Sequence, residues 1–142
     1  MASIAASAPP VESELSVFRL SIMRLIYFLI AFGEGSQVVP NLFVHEPTAR
    51  GVIPALLSGL CLMCVLGLRY PKAMLPLLMF EMVWKYMWFF AFGLPQYLSG
   101  QLPPTFGDDL MPITVGVVAM PFVIPWGYVW RHYVKAAGDR WR

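Results

Sequence analysis

Apolar residues dominate four stretches of the chain, separated by short polar or Gly/Pro-bearing connections. They run from about Leu20 to Phe43, Gly51 to Leu68, Met74 to Leu94 and Leu110 to Trp130. Each approaches the length of about 20 apolar residues that a helix needs to cross a bilayer. The pattern predicts an all-α, four-helix integral membrane bundle over 18–135, between a mobile Ser/Ala/Pro-rich tail (1–17) and a basic tail (136–142). VHEPTAR and RYPK are tight connections, so the helices they join should run antiparallel. The segment 95–109, with Gly100, Pro103, Pro104 and Gly107, favours loop. Pro121 and Pro125 should kink the fourth helix, depriving the carbonyls of Val117 and Pro121 of their usual partners.

Composition agrees. Of 142 residues, 58% are hydrophobic and 13% charged, against about 25% charged in a soluble domain. The few charges set the orientation. Arg19, Arg24, Arg69, Lys72, Arg131, Lys135, Arg140 and Arg142 fall on one side of the four spans, and Arg50 alone on the other. The positive-inside rule then puts both termini in the cytoplasm. Trp126, Tyr128, Trp130 and Tyr133 form an aromatic belt at the cytoplasmic exit. A net charge of +2 argues against nucleic acid as a partner, and residues 1–17 lack the basic and apolar regions of a signal peptide.

The charges within the spans carry the candidate chemistry, because each costs at least ~2.5–3.5 kcal/mol to insert. Arg24, Tyr27, Ala31, Glu34, Val38 and Asn41 follow steps of three and four and share one helical face, with Gln37 beside them. Leu25, Phe28, Leu29, Phe32 and Val39 form the opposite, lipid-facing side. In the third span, Glu81, Trp84, Lys85 and Trp88 fall at i, i+3, i+4 and i+7. At ~1.5 Å per residue, Glu34 and Lys85 lie at similar depths, about 18 and 16 Å inward. Facing pairs are therefore expected, Glu34 with Lys85 and Arg24 with Glu81, with Trp88 offering its ring to the ammonium. This seam reads as a ligand pocket or a proton path; the competing reading is a charge network that fixes helix register.

Other patterns are weaker. Gly51, Ala55, Gly59 and Gly67 form a small-residue row suited to close helix packing, within the bundle or between copies. Cys61 and Cys64 have dithiol spacing, but lie mid-span, where packing is the favoured role. His45 and His132 fall on opposite sides of the membrane, so no bis-histidine metal or haem site forms within one chain. No metal site or resident cofactor is expected; quinone and lipid are the candidate small molecules.

The basic, Gly-bearing first span MRLIYFLIAFGEG and the second span ending LGLRYP resemble the small bacterial four-helix membrane proteins called DoxX-like. That resemblance covers nearly the whole chain in topology and implies an association with quinone-linked or oxidative-stress respiratory proteins. It assigns no catalytic residue. Three readings stand together: a protein, not itself an enzyme, whose seam binds a small amphipathic molecule or passes a proton; an accessory subunit of a larger membrane complex; and a quinone-linked oxidoreductase.

Overall fold

The structure is a computed structural model, and it describes residues 15–44 and 49–138. Those residues are helical, with no strand among them. The first helical run, α1, covers 17–43. Ser16 caps it, accepting from the Arg19 N–H at 3.2 Å. A regular helix over Val17–Phe28 passes into a π turn at Leu29–Glu34, a short α segment at Gly35–Val38 and a 3₁₀ turn at Val39–Phe43. Pro40 opens that last turn, where a missing N–H is tolerated. His45 and most of the first connection lie outside the described residues.

Helix α2 spans Ala49–Arg69 and α3 spans Leu75–Ser99. Between them, Tyr70–Met74 reverse the chain through backbone bonds such as Met74 N–H to the Tyr70 carbonyl, 3.0 Å. α3 extends beyond the expected end at Leu94. A π turn at Phe89–Gly93 resets the backbone register. Pro95 then falls in the first turn of a renewed α segment, where it breaks no bond. Gly100, at φ 69°, ends the run in the left-handed conformation that glycine adopts freely.

Helix α4 spans Phe106–Val123. The expected continuous, kinked helix to Trp130 is corrected here. Pro121 stays within α4, but Ile124 turns extended (ψ 123°), because a residue preceding proline is driven out of the α region. The chain resumes as a short helix, α5, at Trp126–Val129, followed by a π turn at Trp130–Val134. Neither predicted orphan carbonyl is left bare. The Tyr86 hydroxyl donates to the Val117 carbonyl at 3.0 Å, and the Trp126 indole N–H donates to that of Pro121 at 2.7 Å.

α1 packs antiparallel on α2: Arg24 meets Leu68, Tyr27 meets Gly67 and Gly35 meets Cys61. α3 packs antiparallel on α4: Lys85 meets Gly116 and Gly93 meets Leu110. The tight core lies toward the end that holds the 70–74 reversal. There Met23, Tyr27, Cys64, Leu75, Leu78 and Ile124 are almost completely buried. The outside is oily, with Leu25, Phe28, Leu29, Phe32 and Val39 of α1 all exposed as the stripe pattern required. Three helices, Arg50–Arg69, Leu75–Ser99 and Phe106–Val123, are long and apolar enough to cross a membrane. The chain is thus an all-helical membrane protein.

Candidate functional site

The charged residues of α1 and α3 meet at mid-bundle. Lys85 Nζ stands 2.8 Å from Glu81 Oε1 and 3.9 Å from Glu34 Oε2. Glu81 and Lys85 are one helical turn apart on α3, an acid-then-base order that lets the two side chains meet. The Trp84 indole N–H donates to Glu81 Oε2 at 2.5 Å, and the Trp84 ring lies 4.9 Å from the ammonium. Glu81 is wholly buried and Lys85 nearly so, while the Glu34 side chain keeps 22% of its surface open.

Two expected contacts are corrected. Trp88 does not serve the ammonium; it stacks on Phe106, ring centroids 6.3 Å apart. Helical side chains lean toward their own N-terminus, so Lys85 reaches back to Glu81 and Trp84, away from Trp88. Arg24 does not approach Glu81 as a partner. It is exposed, and its Nε donates to the Leu68 carbonyl at 3.1 Å, where the C-terminal end of α2 favours a cation.

The rest of the stripe divides. Tyr27 enters the core, donating its hydroxyl to the Pro71 carbonyl at 3.1 Å. Gln37 and Asn41 are exposed, and Asn41 Nδ2 donates to the Gln37 carbonyl at 3.2 Å. Beyond the π turn at Leu29–Glu34, Gln37 stays beside Glu34 on the wall of the cavity described below, and Asn41 does not.

A cavity of about 520 Å³ opens beside the cluster, between α1 and α4. Glu34, Gln37, Trp84 and Lys85 give it polar groups, and Asp108 lies along its wall. Leu29, Val38, Met111 and Ile113 are among its apolar walls. Gly116 is the residue that the pattern of charges did not reveal. The Lys85 chain runs across it so closely that an added Cβ would sit 2.5 Å from Lys85 Cδ. A glycine inside an apolar helix is itself a sign of such close approach, since it costs about 1 kcal/mol against alanine.

The small-residue row on α2 is only partly a packing seam. Gly67 is: its Cα lies against the Tyr27 ring, leaving no room for a methyl group. Gly59 has nothing near its missing Cβ, and Ala55 is exposed. The buried side of α2 instead carries Ser58, Cys61, Cys64 and Gly67. Cys61 and Cys64 are free thiols in the apolar core, and Cys61 packs against Gly35. Among the described residues no group of His, Cys, Asp and Glu is arranged to hold a metal.

No family model, curated protein or solved structure matches this chain.

Proposed function

We propose that the mid-membrane cavity binds a small amphipathic molecule, with its polar end on Glu34 and Lys85 and its apolar part along α1 and α4. The observation that carries this reading is the juxtaposition of a buried charge cluster with an open cavity. A network that only fixed register would need no such space.

Charge counting defines the polar end. One ammonium faces two carboxyls, and Arg24 bonds elsewhere. With all three groups ionised the cluster is one negative charge in excess, a costly state at this depth. A ligand head that donates hydrogen bonds or carries a positive charge offsets that excess. Ligand binding is favoured over proton passage because the seam ends at Glu81. Between it and the 70–74 reversal stand the buried Met23, Tyr27, Leu75, Leu78 and Ile124, a cluster with no carboxylate, histidine or lysine to pass a proton onward.

In this reading α1 is the fourth transmembrane helix, both termini are cytoplasmic by the distribution of Lys and Arg, and the membrane is the bacterial inner membrane. The DoxX-like resemblance belongs to the same proposal and rests on the two sequence motifs. An accessory-subunit role has one specific support: the Ala55–Gly59 surface of α2 is smooth and exposed, which suits a partner helix.

The test is native mass spectrometry of the protein extracted from its own membrane. The wild type should carry a stoichiometric small-molecule adduct. Glu34→Gln, which keeps the shape and removes the charge, should lose it while unfolding at an unchanged temperature. Adducts identical in both forms would refute the proposal, and stoichiometric protein partners would favour the subunit reading.

A further inference from the structure

A second cavity lies at the other end of the bundle, where the break between α4 and α5 meets the start of α1. It measures about 390 Å³ and is lined by Ser16, Arg19, Trp126, Tyr128 and Arg131 among others. We infer that this cavity binds a phosphoryl group through Arg19 and Arg131.

Three observations support it. First, among the described residues the lining holds two guanidinium groups and no carboxylate. Arg131 makes no ion pair among the described residues, and neither does Arg19. Second, Arg19 is fixed in place but incompletely satisfied. Its Nη2 donates to the Ile124 carbonyl at 2.8 Å, while its buried Nε has no hydrogen-bond partner. A guanidinium offers five donors, and the Ile124 carbonyl takes one of them. The forked geometry suits the oxygens of a phosphate. Third, the site is built by the chain break. Pro125 forces Ile124 extended, which both turns its carbonyl toward Arg19 and opens the gap that α5 borders. Proline here creates a site, where a continuous helix would have closed it.

The phosphoryl group has two sources, the headgroup of an anionic lipid and free phosphate. A basic recess beside interfacial Trp and Tyr is a surface that anionic headgroups fit. Trp126 and Tyr128 supply those rings.

The experiment uses the full chain in two arms. In nanodiscs of equal phosphatidylglycerol and phosphatidylcholine, native mass spectrometry reads which lipid the released protein retains. In detergent, phosphorus NMR reads line broadening of inorganic phosphate. Retained phosphatidylglycerol without broadening identifies a lipid headgroup; broadening without retention identifies free phosphate. In either case Arg131→Gln should weaken the signal about tenfold, the size of one charge-assisted hydrogen bond, and Arg50→Gln, at the start of α2 and outside this recess, should leave it unchanged. Arg131 is exposed, so its variant folds even if Arg19→Gln, which loses the Ile124 bond, does not. Neither signal in the wild type, or equal signals in wild type and Arg131→Gln, would overturn the inference.

Discussion

The two halves of the bundle treat polar groups in opposite ways. Toward the 70–74 reversal, polar side chains are tied to backbone carbonyls at a chain reversal and a helix end: Tyr27 to Pro71 and Arg24 to Leu68. Each bond closes a defect made by a chain reversal or a helix end, and Tyr27 itself is wholly buried in the core. At mid-bundle, Glu34, Glu81 and Lys85 bond to one another, and a cavity lies beside them. Polarity alone therefore does not mark a site in a membrane protein. A polar group that completes the backbone is architecture; a charge cluster with an excess carboxyl and empty space beside it has capacity left for a ligand.

Substitutions can break this contrast. The largest effect should follow Lys85→Ala, which leaves Glu81 and Glu34 facing each other without a cation; removing one partner of a buried pair costs about 3–5 kcal/mol. Thermal unfolding in detergent should show a large drop. Gly116→Ala comes next. Its methyl group collides with the middle of the Lys85 chain, and overpacking of this kind costs about 1–3 kcal/mol. It should also abolish the small-molecule adduct, because Lys85 must leave its place. Tyr27→Phe should cost about 1 kcal/mol, leaving the Pro71 carbonyl unpaired, with the adduct untouched. Gly59→Ala, on the open face of α2, should be neutral or raise stability by less than about 1 kcal/mol through helix propensity. A loss of assembly size in that variant would point to a partner on that face.

The sequence was most informative about depth in the bundle and about which side of a helix is apolar. Steps of three and four placed Glu34 and Lys85 at one depth, and they meet. The apolar side of α1 is likewise on the outside. Reading failed where the helix departs from its ideal period. Beyond the π turn at Leu29–Glu34, Asn41 falls off the cavity wall while Gln37 stays on it, and the π turn at Phe89–Gly93 carried α3 past Leu94 to Ser99. Such turns leave little trace in a pattern of apolar residues. Trp88 and Arg24 were misassigned for another reason: spacing gives the face, whereas the lean of a side chain toward its own N-terminus decides which neighbour it reaches. Proline was legible as an interruption, but its position before or after a carbonyl determined which donor would repair the damage.

The most direct measurement compares Glu34→Gln with Tyr27→Phe in a decylamine titration, decanol serving as the neutral control, read from the fluorescence of Trp84 on the cavity wall. The account predicts saturable binding of the amine to wild type and to Tyr27→Phe, and binding about tenfold weaker in Glu34→Gln, the loss of one hydrogen bond to a charged group. Decanol should bind all three alike. Equal decylamine affinity in wild type and Glu34→Gln would contradict it, and the charge cluster would then be architecture like the rest.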